Sequence, residues 1–234
     1  MLALLRARCG RWAWREDKGY PFPNDCLFGD ITEGWNLSQT VGVTKTPRRA
    51  ELVRAAARLF SERGYHGTSM QHLADALGLQ RGSLYAHIGS KEELLLDVVE
   101  EGAERFLERG RQAAGEDATA ADRLRDFLAG HIATVVEHLD AATVFLNEWR
   151  YLSPDLRSLV QEKRDAYEAL IRGIIEEGKA SGEFRHDADI RMASLAVLSV
   201  GNWVYAWYRP EGELGPQQIG ESFADLLVKG LEGT

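Results

Sequence analysis

Side chains that can donate hydrogen bonds to nucleic acid are concentrated between residues 68 and 91. Hydroxyls, an ammonium and a ring N–H suit phosphate oxygens, whereas a guanidinium and a side-chain amide can also read the edges of bases. A glycine among them would let the backbone approach the nucleic acid closely. The residues that we predict to contact DNA are Thr68, Ser69, Gln80, Arg81, Gly82, Ser83, Tyr85, His87 and Lys91.

Two short helices joined by a glycine turn would position these side chains. The first helix carries apolar residues at helical spacing and ends at Gly78, and the second is predicted from about Arg81 to His87. This is the pattern of a helix-turn-helix, in which the N-terminal residues of the second helix reach base edges in the major groove. We therefore expect residues 80–83 to read the DNA sequence and their neighbours to bind phosphates.

Two predicted capping boxes mark the helix starts on either side of this turn. Each pairs a hydroxyl with a polar side chain three residues later, as in Thr68 with Gln71 and Ser90 with Glu93. Such pairs satisfy backbone N–H groups that the first turn of a helix leaves without partners. The sequence thus predicts helices that begin just after residues 68 and 90.

The rest of the chain also predicts helices. Apolar residues recur at helical spacing, and no segment alternates convincingly as a strand. Three prolines, Pro47, Pro154 and Pro216, stand where helical patterns begin, as first-turn prolines do. Gly64 suits a left-handed helix end. We predict an all-α fold preceded by an irregular extension over residues 1–46.

Charge is distributed unevenly along the chain. The net charge is -8, but residues 47–91 hold seven Lys or Arg against three acidic residues, while residues 92–234 hold 15 against 28. This distribution is expected of a protein in which a small basic segment binds the phosphates of nucleic acid and the larger acidic segment is repelled by them. The N-terminal extension adds further arginines, which leaves two interpretations open: an arm that reaches the minor groove, or a dispensable segment from a misassigned start.

Patterns typical of catalysis and metal binding are missing from the sequence. His131 and His138 lie seven residues apart near Glu137, but no His-Glu-x-x-His motif, nucleophile elbow or glycine-rich phosphate loop is present. Cys9 and Cys26 lie outside any metal-ligand spacing. The apolar runs are well short of the ~20 residues of a membrane span, and the first one is too short for a secretion signal. We predict a cytoplasmic protein that is not an enzyme and has no metal or cofactor.

The order of several short motifs resembles that of a known family. These motifs are, in order, Ala55–Phe60, Gly64-Tyr65, Thr68-Ser69, Leu73-Ala74, Gly82–Tyr85 and Ser90–Leu94. Together they resemble the signature of the tetracycline-repressor (TetR) family of transcriptional regulators, and several motifs in fixed order are far more specific than a lone helix-turn-helix pattern. The sequence departs from the family's usual residues at Gln80, where a small hydroxyl residue is common, and at Ile88, where phenylalanine is common.

The resemblance implies a transcriptional regulator with two folded domains. Residues 47–93 would form a three-helix, helix-turn-helix domain that binds double-stranded operator DNA. Residues 94–234 would form a helical domain for effector binding and dimerisation. The last two long helices, about 187–208 and 216–230, would pair with their copies in a homodimer.

Two C-terminal stretches narrow the resemblance. Asn202–Pro210 and Phe145–Trp149 are similar to regulators of fatty-acid, phenylacetate and sterol catabolism, which respond to acyl-CoA thioesters. We therefore expect a repressor that an acyl-CoA releases from its operator. Two alternatives stay open: a regulator of drug efflux that senses a hydrophobic or cationic compound, and an adaptor protein that is localised by DNA.

An acyl-CoA effector would need two kinds of contact in the helical domain. Large apolar side chains would enclose the acyl group, and two arginines would bind the anionic nucleotide end. At helical spacing, each apolar candidate could instead be an ordinary core residue. The residues that we predict to bind the effector are Phe145, Trp149, Arg150, Tyr167, Ile171, Leu198, Trp203 and Arg209.

Overall fold

The computed structural model describes residues 47–232, which fold into nine helices and one 3₁₀ turn. In chain order these are α1 (Pro47–Arg63), α2 (Met70–Ala76), α3 (Arg81–Tyr85), α4 (Lys91–Ala114), α5 (Ala120–Glu137), α6 (Leu139–Asn147), the 3₁₀ turn (Trp149–Tyr151), α7 (Pro154–Ser181), α8 (Ile190–Trp207) and α9 (Pro216–Leu231). The β-type pairing in this range is limited to one isolated antiparallel bridge between Phe184 and Glu232. The all-α prediction is confirmed.

Two of the sequence predictions concern the N-terminal extension and membrane-spanning segments. The extension predicted over residues 1–46 lies outside the described residues. Among the helices from α1 to α9, none is both long enough and apolar enough to cross a membrane.

Glycine turns separate the three N-terminal helices, which share a small apolar core. α1 buries Leu52, Ala56 and Phe60 on one face. Gly64 follows α1 with a left-handed φ of 74°, and Gly78 follows α2 with a φ of 62°. These values lie in a region that glycine adopts without steric cost, so the two predicted glycine stops are confirmed.

The cap of α2 lies one residue later than predicted. Ser69 is the N-cap: its Oγ accepts the N–H of His72 at 3.1 Å, and His72 Nδ1 accepts the N–H of Ser69 at 3.2 Å. Thr68 is buried instead, with its hydroxyl within hydrogen-bond distance of two backbone carbonyls at the end of α1. The predicted pairing of Thr68 with Gln71 was wrong, because burial directs the Thr68 hydroxyl toward α1.

The start of α4 ties the N-terminal helices to the rest of the described chain. Ser90 caps this helix as predicted, accepting the N–H of Glu93 at 3.0 Å, although the Glu93 carboxylate accepts the N–H of Gly89 at 2.7 Å. The Arg49 guanidinium on α1 contacts both Glu93 at 2.7 Å and Asp97 at 2.8 Å. This ion-pair network holds α1 against the first two turns of α4.

The remaining helices pack around α5. α4, α7, α8 and α9 all contact it. α9 approaches the backbone of α5 closely at Gly220, where a Cβ would lie 2.6 Å from the Cα of Ala129. Pro154 and Pro216 begin α7 and α9, as predicted. The two C-terminal helices predicted over about 187–208 and 216–230 span residues 190–207 and 216–231.

Candidate functional site

α3 presents the candidate base-reading side chains to solvent. Its apolar anchors are Leu84, within the helix, and Ile88, just beyond it, and both are buried in the core that α1 and α4 share. The four residues at its N-terminal end and two beyond them are exposed, namely Gln80, Arg81, Gly82, Ser83, Tyr85 and His87. No atom lies within 4 Å of a Cβ built on Gly82, so this end of the helix is open. The geometry suits an element that enters a groove from its N-terminus.

Thr68 and Lys91 lie at the base of this surface and are already engaged within the protein. The Lys91 ammonium donates to the carbonyls of Tyr65 at 2.9 Å and Thr68 at 2.8 Å, and it lies 4.1 Å from the centre of the Tyr65 ring. Burial lowers the pKa of Lys91. Lys91 therefore fixes the turn that leads into α2, and Ser69, which is exposed, caps that helix. A phosphate contact by any of these three residues stays a prediction.

The C-terminal helices enclose an aromatic cluster formed by Phe106, His131, Phe145 and Tyr167. The Phe106 ring centre lies 4.9 Å from that of His131, 5.4 Å from that of Phe145 and 5.9 Å from that of Tyr167. The four residues come from α4, α5, α6 and α7. Ile171, one turn beyond Tyr167, is completely buried. Three of the predicted effector residues, Phe145, Tyr167 and Ile171, thus belong to the interior of this domain.

A polar pair lies inside the aromatic cluster. His131 Nδ1 lies 2.9 Å from the Tyr167 hydroxyl. Burial lowers the pKa of His131 to about 4, while the side chain of Asn202 opposes this shift. Burial also raises the pKa of Tyr167 well above its usual value. Both groups are therefore neutral at physiological pH.

An arginine that the sequence analysis did not select borders the cluster. The Arg164 guanidinium lies 5.2 Å from the ring centre of Phe145 and 5.0 Å from that of Trp149, within the range of cation–π contacts. Its position three residues before Tyr167 on α7 was a signal that could have identified it, because residues three apart share a helix face.

Four predicted effector residues lie apart from the cluster. Arg150 and Arg209 are exposed, and the Arg150 Nε donates to the carbonyl of Asn147 at 2.7 Å. Leu198 is partly buried, whereas Trp203 is 62% exposed on the outer face of α8. A role for these side chains in effector binding stays a prediction. Residues 47–232 contain no group of three or more potential metal ligands.

A hydrogen bond joins the end of α6 directly to the turn before α2. The carboxylate of Glu148, at the end of α6, accepts the N–H of Tyr65 at 2.6 Å. Glu148 lies three residues after Phe145 of the aromatic cluster, and its neighbour Asn147 accepts the hydroxyl of Tyr205 on α8 at 3.2 Å. The sequence analysis missed Glu148, since nothing in a helical pattern shows which distant backbone N–H a carboxylate accepts.

Two family models match this chain. The model for the bacterial regulatory proteins of the tetR family matches residues 52–98, and the model for the tetracyclin repressor-like C-terminal domain matches residues 117–231. The crystal structure of PfmR, a TetR family transcriptional regulator from Thermus thermophilus, is 35% identical, with a TM-score of 0.72, and covers 78% of this chain and 99% of its own. The protein therefore belongs to the TetR family of transcriptional regulators.

Two further relatives of this chain are a named repressor and a protein whose structure contains a ligand and DNA. KstR2 of Mycobacterium tuberculosis, a transcriptional repressor, is 27% identical over 79% of this chain and 92% of its own length. AibR, whose crystal structure contains isovaleryl coenzyme A and operator DNA, is 27% identical with a TM-score of 0.71 and covers 76% of this chain and 97% of its own. KstR2 is thus a repressor by name, and AibR binds both an acyl-CoA and an operator.

Proposed function

We propose that this protein is a cytoplasmic homodimeric repressor without catalytic activity, which leaves its operator when a CoA thioester of a hydrophobic acid binds the helical domain. The observation that carries the proposal is the exposed N-terminal end of α3, which the buried side chains of Leu84 and Ile88 anchor. Glu148 joins the turn before α2 to α6, which carries Phe145 of the aromatic cluster. The repressor KstR2 and the CoA-bound AibR support the repressor function and the class of effector. We also propose a domain division near residue 93, inside the long helix α4.

The dimer in this proposal would form through α8 and α9. Apolar side chains on their outer faces are strongly exposed in the single chain: Met192 by 60%, Trp203 by 62% and Leu226 by 68%. Met192 and Leu226 line one concavity between α8 and α9, and the ring centre of Trp207 lies 6.4 Å from that of Phe223 on α9. Met192, Trp203, Trp207 and Leu226 are here called the α8–α9 face. A contiguous apolar patch of this kind marks an interaction site. A second copy of the chain would cover it and would place two α3 helices for two successive major grooves.

The signal in this proposal would pass along α6. Phe145 lies in the aromatic cluster, and Glu148 at the end of the same helix holds the Tyr65 N–H of the turn before α2. A ligand that displaces Phe145 would therefore displace Glu148 and change the spacing of the two α3 helices. Such a ligand lowers operator affinity when it binds the conformation with the altered α3 spacing more tightly than the operator-binding conformation. The factor can be no larger than the ratio of the ligand's affinities for the two conformations.

Substitutions on α3 are expected to separate base reading from phosphate binding. Arg81→Ala should weaken binding to the cognate operator about tenfold or more and reduce the preference for it over unrelated DNA, because a lost base contact costs about 1–3 kcal/mol. Tyr85→Phe should lower the affinity for the cognate operator and for unrelated DNA by the same factor, because phosphates carry no sequence information. Fluorescence anisotropy at one fixed salt concentration measures both affinities.

The control for these variants is Arg111→Ala, which removes an exposed arginine near the end of α4, more than five helical turns from Lys91 at its start. It should leave both affinities unchanged. An unchanged operator preference in a folded Arg81→Ala variant would contradict base reading by this side chain.

The effector class is tested on the DNA upstream of the protein's own coding region. Protection of this DNA should disappear when acyl-CoA esters are added, and matched free acids should have no effect. Release by hydrophobic cations or free acids, with indifference to every thioester, would instead identify a sensor of drugs or other hydrophobic compounds. Protection that no small molecule changes would favour the DNA-localised adaptor.

A further inference from the structure

The buried Nε2 of His131 makes no hydrogen bond of ordinary geometry in the part of the chain that the structure describes. Nδ1 of the same ring lies 2.9 Å from the Tyr167 hydroxyl. If the hydroxyl donates to Nδ1, the ring proton must sit on Nε2. The other tautomer would leave both the Tyr167 O–H and Nε2 unused, and unmade buried hydrogen bonds are costly. The first tautomer, with an N–H on Nε2, is therefore favoured.

The charge of this donor restricts its acceptor. Burial lowers the pKa of His131 to about 4, so the imidazole is neutral at physiological pH. A neutral N–H in an aromatic environment does not compensate for the desolvation of a carboxylate, which requires a paired cation when it is buried. An uncharged carbonyl oxygen that enters the same environment loses its hydrogen bonds to water, and one hydrogen bond from the protein compensates for much of that loss.

The helix α8 covers this nitrogen at a glycine. A Cβ at Gly201 would lie 2.5 Å from Cδ2 and 2.9 Å from Nε2 of His131, so only the absence of a side chain lets α8 pack directly on the ring. Asn202, the next residue, acts on the pKa of His131 but makes no hydrogen bond of ordinary geometry to Nε2. An acceptor atom that reaches Nε2 must therefore move α8 outward. The same helix carries Trp203 on the α8–α9 face, so this movement would alter the proposed dimer contact.

We propose that Nε2 of His131 donates a hydrogen bond to an uncharged carbonyl oxygen of the effector, between α5 and α8 at Gly201. This inference rests on the proposed function and adds the atom that recognises the thioester. The effector is thus a largely apolar molecule with an uncharged carbonyl group. The protein recognises its thioester through the hydrogen bond from Nε2 of His131 to the carbonyl oxygen. The aromatic cluster would then contact the carbon chain on either side of that carbonyl.

The test compares an acyl-CoA thioester with the matched alkyl-CoA thioether, which lacks only the carbonyl oxygen. Each compound is titrated against the preformed complex of the wild-type protein with its operator. The thioester should achieve half-release at about a tenfold lower concentration, the effect of one buried neutral hydrogen bond. In the double variant His131→Phe, Tyr167→Phe, which leaves no unpaired hydroxyl, the two compounds should act at equal concentrations.

The matched control is Thr134→Val, which removes a buried hydroxyl one turn along α5 that bonds to the carbonyl of Gly130 in its own helix. It should keep the tenfold preference. Equal action of both compounds on the wild-type protein, or a preserved preference in the double variant, would overturn the inference and leave the proposed function standing. Failure of both compounds to release the wild-type protein would overturn both proposals.

A second measurement does not depend on the folding of any variant. The infrared stretching frequency of a carbon-13-labelled thioester carbonyl bound to the wild-type protein should lie below its value in an alkane solvent, because a hydrogen bond to the oxygen weakens the C=O bond. A frequency equal to that of the same thioester in an alkane solvent would overturn the inference.

Discussion

Leu226→Arg is expected to dissociate the proposed dimer and to weaken operator binding by about a hundredfold or more. Leu226 is 68% exposed on α9, within the α8–α9 face. In a dimer this position would lose its water, and burying an unpaired guanidinium there costs several kcal/mol. A monomer also loses the gain in affinity that comes from binding two half-sites at once, which reaches about 10²- to 10⁴-fold in linked systems.

The matched control is Leu159→Arg, which introduces the same charge at a leucine that is 47% exposed on α7. Analytical ultracentrifugation measures the oligomeric state, and anisotropy measures operator affinity. The control should remain dimeric and bind the operator normally. A dimeric Leu226→Arg variant at micromolar concentration, or a monomeric control, would contradict the assignment of the interface to α8 and α9.

Gly220→Ala is expected to lower the free energy of unfolding by about 2–3 kcal/mol, because the added methyl group overpacks a helix contact. The new Cβ would lie 2.6 Å from Cα and 3.1 Å from Cβ of Ala129. A backbone atom of α5 cannot turn away as a long side chain can, so α9 must shift as a whole. For a domain of this size, the melting temperature should fall by roughly 5–10 °C.

The matched control is Gly173→Ala in the middle of α7, where no atom lies within 4 Å of the new Cβ. This change should raise the free energy of unfolding by roughly 0.5–1 kcal/mol, because alanine loses less conformational entropy than glycine in a helix. Thermal melting followed by circular dichroism measures both variants. If Gly220→Ala melts with the wild-type protein, α9 does not pack on α5 as closely as described.

Local signals in the sequence identified the helices and several of their ends. Gly64 and Gly78 adopt the left-handed conformation that their positions predicted, and Pro154 and Pro216 begin their helices. The cap of α2 could not be predicted to the residue. Thr68 and Ser69 both offer a hydroxyl, and only the burial of the first against α1 decides which one caps the helix.

The composition of the candidate effector site was only partly predictable. Helical spacing identified Phe145 and Tyr167, but it cannot distinguish the two faces of a helix that is apolar on both sides. α8 is such a helix: Val204 is fully buried, whereas Trp203 is largely exposed. In the sequence His131 stands out only through its spacing from His138 and Glu137, and its contact with Tyr167 depends on how α5 and α7 pack, which periodicity does not specify.

The most direct test of ligand-released operator binding is the affinity of one CoA thioester for the protein with and without operator DNA. Coupling between two binding sites is reciprocal, so a ligand that weakens operator binding must itself bind the operator complex more weakly by the same factor. We predict a factor of about 5 to 150, which corresponds to a coupling energy of about 1–3 kcal/mol. Equal affinities of the thioester for the free protein and for the operator complex would contradict the account.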